Sequence, residues 1–448
     1  MTPARQRVGE HAVVLGGSMS GLFAARVLSD AYEKVTVVDR DELTGDHRVR
    51  RGVPQGRHLH ALQARGQQVI EELFPGISDE MIAAGAATGD VGFHTRWYFN
   101  GKQPRRVRTG LRAVAASRPF LERHVYERVA TLPNVVFRGG HDILGLETTP
   151  DRARVTGVRV QAHGGGTAEE SIGADLVVDA TGRGSRVPAW LEDLGFPRVE
   201  ESRLKVGVGY TTCRYRLTSD PYDDEISIAV IASADLPRGA IMTKVEDDLV
   251  TLTAYGILGD HPPTDRDGFR VFLKSLAVPD IYEAVQDQEA LEDPVAFKYP
   301  VSVRRHFERV ARFPEGLLAT GDSVCSFNPT YAQGMTVASL GALVLREHLA
   351  SGSAPVAGAY FRDVAHRAVD GPWEAMTIND LAFPGVEGRR TLSTRMAHAL
   401  TSRVQAASTR DGAVTEAFLR VVGLIDPPTT LMRPGMLTRI LRGSRAAS

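Results

Sequence analysis

The sequence predicts a composite α/β fold, and three observations carry that prediction. A strand, glycine turn, helix and strand open the chain between Ala12 and Asp39. A second strand–turn–helix unit, Pro314–Ala350, follows roughly three hundred residues later. The stretch between about Leu204 and Val310 is instead a series of β-like runs separated by turns.

The opening unit reads element by element. Ala12–Leu15 is a continuous apolar run, as expected of a strand buried on both faces. Leu22, Ala25, Val27 and Leu28 supply much of a helical apolar face, which the polar segment Ser29–Lys34 ends. Val35–Val38 is a β-branched run ending at Asp39, about 20 residues past the glycine turn, where a carboxylate can accept hydrogen bonds from an adenosine ribose. The turn is Gly16-Gly17-Ser18-Met19-Ser20-Gly21, a G-x-G-x-x-G pattern with Ser18 in the middle glycine's place. Gly16 permits the sharp turn and Gly21 close helix–strand packing. The helix N-terminus offers N–H groups and a positive dipole end to a pyrophosphate, and Ser20 adds a hydroxyl. Alone, the pattern fits a structural turn equally well; followed by VTVVDR, with Arg40 after Asp39, it reads as Rossmann-like dinucleotide binding. A nucleophile elbow is excluded because neither serine lies midway between two glycines.

The distal unit brings the apolar run of Pro314–Ala319 to Thr320-Gly321-Asp322-Ser323, then to Asn328-Pro329 and Tyr331-Ala332-Gln333-Gly334-Met335, then to a helix over Thr336–Ala350. A strand that delivers Gly-Asp to a loop places one carboxylate for a polyol chain. A Gly-Met step opening a helix puts backbone N–H groups beside an electron-rich ring edge. GDS…NPTYAQGM resembles the C-terminal flavin motif of the p-hydroxybenzoate-hydroxylase-like FAD monooxygenases, with actinobacterial tailoring enzymes, including polyether epoxidases, as the nearest subset. The resemblance implies that Asp322 binds the ribityl hydroxyls while Pro329, Gly334 and Met335 line the isoalloxazine.

Three further segments extend the resemblance from Ala12 to Ala350. Arg50–His58 (RRGVPQGRH) resembles the stretch that passes near the flavin, which implies Arg50, Gln55 and His58 as polar groups by the reacting face. Ser117–Leu121 (SRPFL) resembles the R-x-x-L helix start whose Arg, here Arg118, reaches the FAD ribose or phosphates. Asp175–Gly184 (DLVVDATGRG) resembles the strand and turn that close on FAD, here with Thr181 and Gly182. Two departures stand out. In most of these hydroxylases the middle motif reads Asp-Gly and helps hold both FAD and NAD(P)H, whereas Asp179 and Gly182 are not adjacent here. Ala332 occupies a place where related sequences tend to carry glycine, a strain if that residue needs positive φ.

The implied fold is a Rossmann-like FAD-binding domain (GR2-type) in three parts, 1–80, 111–200 and 311–350. A substrate segment at 81–110 and a substrate β-sheet at 201–310 interrupt it, and helices fill 351–448. Alternation in Val250–Thr253 predicts a sheet with one wet face and one covered face, the covered one packing core. Apolar residues of this sheet and of the helices are expected to form a mainly apolar substrate cavity. The basic end RPGMLTRILRGSRAAS reads as a solvated or frayed terminus rather than a membrane-surface helix.

Composition excludes other classes. With 53 Lys+Arg against 54 Asp+Glu among 448 residues, no overall charge points to nucleic acid or an anionic membrane. No apolar run reaches the ~18 residues of a membrane span. Cys213 and Cys325 lie too far apart for a disulfide framework or zinc spacing, and no histidine–carboxylate cluster has metal spacing. His60 and His124, like most lone histidines, read as structural residues. A cytoplasmic setting suits the chain.

The resemblance implies an FAD-dependent, NAD(P)H-using monooxygenase that epoxidises or hydroxylates a lipophilic natural-product intermediate with O₂. Nothing in the sequence bears on oligomeric state. The absence of W-x-W-x-I-P disfavours a flavin halogenase. A non-redox cyclase of the spirotetronate or spirotetramate kind, keeping FAD and the fold but acting by proximity, is the alternative. A purely binding or structural role leaves the redox cofactor without purpose.

Overall fold

The computed structural model describes residues 7–45, 49–164 and 168–445. Its centre is a five-stranded parallel sheet in the order Leu317–Ala319, Leu176–Asp179, Gly9–Leu15, Tyr32–Val38, Val135–Arg138. The β-branched and apolar runs are what a parallel sheet covered on both faces requires, and Val13, Val14, Val177, Val178 and Leu318 are fully buried. The helices Met19–Leu28, Arg118–Ala130 and Gly334–Leu349 pack into the same core as the sheet. The antiparallel ribbon His141–Thr148, Val155–Ala162 and Glu170–Gly173 adds Val158, Val160 and Ile172 to that core. The second central strand begins at Tyr32, three residues before the β-branched run.

A seven-stranded sheet stands over this unit in the order Cys325–Ser326, Val295–Arg305, Glu201–Tyr215, Val250–Gly256, Arg238–Lys244, Ser227–Ile231, Thr95–Phe99. Neighbours pair antiparallel except at one edge, where Thr95–Phe99 runs parallel to Ser227–Ile231. The expected wet face is absent: every residue of Val250–Gly256 is buried. Val250, Leu252 and Ala254 pack against Phe269, Phe272 and Leu273 of the helix Arg266–Lys274. The threonine face is covered from the other side, where Leu59 N–H donates to Thr253 Oγ1 (3.2 Å). Alternation reported side-chain polarity correctly, but the polar face is an internal surface between layers rather than a solvent face.

The C-terminal third is helical. Ala357–Val364 and Asp370–Asp380 are joined by a π-helical turn, and Leu392–Ser408 and Gly412–Val422 follow. The basic end departs from expectation, since Pro434–Arg445 forms a helix rather than a frayed tail. Ile440 is fully buried, and Arg439 pairs with Asp411 at 3.0 Å. Its lack of acids hid an apolar residue able to anchor it.

Ala332 adopts φ 54°, ψ 29°, the left-handed region in which a Cβ is strained. Replacing Ala332 with Gly removes that strain against a smaller entropy cost. It is expected to stabilise the fold by roughly 0.5–1 kcal/mol, read as a higher midpoint in paired denaturant titrations.

Candidate functional site

At the C-terminal edge of the central sheet, three turns distant in sequence meet. Gly16 has φ 98°, and a Cβ there would lie 2.6 Å from the Ala180 carbonyl. A Cβ on Gly21 would lie 1.8 Å from the Gly16 carbonyl, and one on Gly321 2.4 Å from Ser20 Oγ. The fingerprint glycines are therefore steric requirements here. Gly17 N–H donates to Asp39 Oδ2 (2.6 Å) and Asp41 N–H to Asp39 Oδ1 (2.8 Å), so the acid at the second strand's end is aimed back at the turn. Ser18, the departure from the fingerprint, does not cap its own helix. Its Oγ instead donates to Glu122 Oε2 (2.9 Å) and accepts from Arg118 Nη2 (2.8 Å), tying the turn to the helix Arg118–Ala130.

Arg50 belongs to this end. Its Nε and Nη2 donate to Glu122 Oε1, Nη2 also reaches the Gly17 carbonyl (3.2 Å), and Nη1 lies 3.4 Å from Asp39 Oδ2. Nη1 is buried and makes no hydrogen bond. Burial alone would raise the Glu122 carboxyl, but Arg118 and Arg50 outweigh it and hold it below the usual carboxylate range. A cavity of about 410 Å³ opens here, lined by Gly17, Arg40, Asp41, Arg50, Arg118 and Glu122 among others. Glu122 escaped notice in the sequence, although its i+4 spacing from Arg118 on a helix was a readable signal.

The other end is built around Asp322. Asp179, fully buried, accepts from Thr181 N–H (3.0 Å), Thr181 Oγ1 (2.5 Å) and Ser185 Oγ (2.6 Å). It is spent on shaping its own turn, and the Thr181–Gly182 step is what faces Asp322. A Cβ on Gly182 would stand 3.9 Å from Asp322 Cβ, and one on Gly334 3.7 Å from Asp322 Oδ1. Gly182 N–H donates to Ser323 Oγ (2.9 Å), and Arg305 bonds the Arg183 and Ser323 carbonyls (2.9 and 3.0 Å), locking the two turns together. Arg305 carried no local motif; only the long-range pairing of its strand brings it here.

This end fits a ligand rich in hydroxyls. Among the described residues the Asp322 carboxylate accepts no hydrogen bond, and Ser20 Oγ is buried without a partner. Burial raises the Asp322 carboxyl, with Arg183, Arg118 and Arg305 pulling it back. A desolvated acceptor bordered by bare glycine backbone, and facing the N-terminus of the helix Gly334–Leu349, is suited to vicinal hydroxyls. A ribityl chain offers such hydroxyls, and the cavity at the Asp39 end, about 410 Å³, suits a nucleotide. The residues present therefore fit FAD. Pro329 opens the 3₁₀ turn Pro329–Tyr331, and Met335 is the second residue of the helix that follows.

Arg50, Gln55 and His58 do not form one cluster. Arg50 sits at the Asp39 end, and Gln55 lies in the short turn Pro54–Arg57, its carbonyl accepting from His58 N–H (3.0 Å). His58 is buried against the seven-stranded sheet, with Nδ1 2.8 Å from Thr212 Oγ1 and its ring edge-on to Tyr210 at 4.7 Å. Burial, reinforced by Arg57, lowers the His58 pKa to about 4, leaving the ring neutral. Phe297 packs beside it, and the Arg183 guanidinium lies 4.9 Å from the Tyr299 ring centre, linking this aromatic wall to the Asp322 end. Among the described residues no metal-ligand cluster occurs, and Cys213 and Cys325 are free and buried.

The family described as FAD binding domain matches residues 10–357. Protein Rv3254 of Mycobacterium tuberculosis is 35% identical over 441 residues, covering 94% of this chain and 91% of that protein. The solved structure of p-nitrophenol 4-monooxygenase PnpA from Pseudomonas putida is similar at a TM-score of 0.64 and 16% identity, over 94% of this chain and 99% of that one. The Diels-Alderase PyrE3 of pyrroindomycin biosynthesis is similar at 0.59 and 16%, over 93% and 81%. At these identities both structures speak to the fold alone.

Two outcomes follow from the geometry. Asp322→Ala and Asp39→Ala are each expected to weaken FAD binding roughly ten- to a hundredfold, the effect of losing a charged-group hydrogen bond, in fluorescence titrations of the apo-protein. The second concerns pH. His58 resists protonation when folded but accepts a proton near 6.5 when unfolded, so the unfolded state gains protons as pH falls from about 6.5 to 4. Its contribution is complete above 6.5 and lost over that window, on the order of 3 kcal/mol in all. Urea midpoints measured across it should fall more shallowly in His58→Gln than in the parent.

Proposed function

The chain belongs to the FAD binding domain family, of the p-hydroxybenzoate-hydroxylase-like kind, and we propose that it is an NAD(P)H-dependent monooxygenase transferring one oxygen atom from O₂ to a lipophilic natural-product intermediate, by epoxidation or hydroxylation. The observation that carries the reading is the cradle itself. A free carboxylate at Asp322, bordered by Gly182 and Gly334, adjoins an aromatic wall of Tyr210, Phe297 and Tyr299. FAD, when bound, supplies the redox chemistry, accepting reducing equivalents from the nicotinamide and activating O₂.

The protein's share is binding, orientation and exclusion of water. Asp39 and Asp322 act at the two ends of the cofactor, with Arg50 and Arg118 supplying positive charge to the diphosphate between them and Arg40 lining the same cavity. Pro329, Gly334 and Met335 present the loop and helix start to the flavin ring. Tyr210 and Tyr299 are buried phenols whose pKa values burial pushes up, so they stay protonated, and the Tyr299 hydroxyl donates to Ser326 Oγ (3.1 Å). His58, neutral at pH 7, lacks the imidazolium proton that a general acid would give up and is proposed to position the wall through Thr212. Among the described residues no helix is long and apolar enough to cross a membrane; a cytoplasmic setting and a small-molecule substrate fit the reading.

A scaffolded cyclisation is the second reading, supported by the likeness to PyrE3 and by Thr181 standing before Gly182 at the turn that commonly reads Asp-Gly. The two diverge in mass balance. Oxygen transfer requires O₂ and reductant, and with isotopically labelled O₂ the product carries one labelled atom. Full-rate conversion to an isomer of the substrate, under argon and without reductant, would overturn the oxygenase reading while leaving FAD binding intact.

A further inference from the structure

The helix Asp370–Asp380 lies beyond the residues, 10–357, that the FAD-binding family matches, yet its last residue reaches the flavin loop. Asp380 is fully buried. Its Oδ1 accepts both from Asn328 Nδ2 and from the Tyr331 hydroxyl, each at 2.9 Å. These donors stand at the two ends of the segment that carries Pro329. Asn328 Oδ1 in turn accepts from Thr330 N–H (3.1 Å) and Oγ1 (2.8 Å), closing the turn from inside. One turn earlier on the same helix, Met376 Sδ lies 3.2 Å from Asn328 N. Gln63 Nε2 also donates to the Tyr331 carbonyl (2.9 Å). Immediately downstream come Ala332 in its left-handed conformation and then Gly334, beside Asp322.

The carboxylate is an expensive way to build a helix end. Its Oδ2 is buried and has no partner, and no ion pair to Asp380 occurs among the described residues. The nearby Arg390 is committed instead to the carbonyls of Leu381, Phe383 and Val386. Burial raises the Asp380 carboxyl to about 6, with Tyr331 and Asn328 pulling in the other direction. A buried, uncompensated acid destabilises a fold. What it gains here is one oxygen that takes two hydrogen bonds from both ends of a single loop.

We propose that Asp380 is a positioning residue for the cofactor: by accepting from Asn328 and Tyr331 together, it clamps the Pro329 loop in the shape that receives the flavin ring, making the C-terminal helix part of the FAD site. The clamp rests on FAD binding, not on oxygen transfer, so it stands or falls separately from the oxygenase reading. It needs an acceptor at Oδ1 and not a charge, which sets apart the two obvious variants.

The experiment titrates FAD into apo-protein of the parent, Asp380→Ala, Asp380→Asn and Tyr331→Phe, following flavin fluorescence and the shape of the visible absorption band. Asp380→Ala is expected to bind FAD about tenfold or more weakly, with an altered band. Asp380→Asn keeps an acceptor and is expected to stay within about threefold with the parental band, while Tyr331→Phe, losing one of two bonds, falls between. Parental affinity and band in Asp380→Ala overturn the proposal, as does an Asp380→Asn variant as impaired as the alanine. Should Asp380→Ala not fold, the other two decide: Tyr331→Phe indistinguishable from the parent refutes the clamp.

Discussion

The site depends on a packing constraint before any charge. The Gly16–Gly21 turn, the Ala180–Gly182 turn and the Thr320–Asp322 turn approach so closely that a Cβ on Gly16, Gly21 or Gly321 would overlap a neighbour at 2.6 Å or less. Parallel pairing brings this about, since the three strands end in register, Leu15 opposite Asp179 and Asp179 opposite Ala319. Chain segments roughly three hundred residues apart thus share one small space, at the sheet edge where open α/β folds bind ligands.

Upon that constraint the charges divide by task. Asp179 is consumed internally, its oxygens bonded to Thr181 and Ser185, and fixes a turn. Asp39 is half committed, to the N–H groups of Gly17 and Asp41, and holds the other end rigid. Asp322 has accepted nothing. Three carboxylates at strand ends look alike in a sequence, and only their bonding in the fold tells them apart. Arg50 and Arg118 share Glu122 between them, which orients both guanidinium groups towards the Gly17 turn at the cost of part of their positive charge.

The fold was legible where local pattern and tertiary role coincide. The runs at Ala12–Leu15 and Val35–Val38 are apolar because both sheet faces are covered, and the Gly-Asp at 321–322 follows its strand as directly in space as in sequence. Legibility failed where tertiary context reassigns a pattern. The threonines of Val250–Gly256 mimic a solvent face, but both are buried, and Thr253 bonds Leu59 and Thr212. The segment Arg50–His58 spans two settings, Arg50 beside Asp39 and His58 beside Thr212, a division its local sequence does not show. Asp380 gave no signal at all, because a lone acid at a helix end is ordinary until Asn328 and Tyr331, about fifty positions away, are folded against it. Ala332 was the intermediate case: its oddity was visible, but only the backbone angle made it strain.

Two separated acids, Asp39 and Asp322, are proposed to mark opposite ends of one dinucleotide site. The most direct measurement is calorimetric titration of the apo-protein with FAD and with FMN, under one buffer. The account predicts one FAD per chain, bound at least about a hundredfold more tightly than FMN, since FMN lacks the adenosine half that the Asp39 end would hold. FMN binding as tightly as FAD, or no binding of FAD, would contradict it.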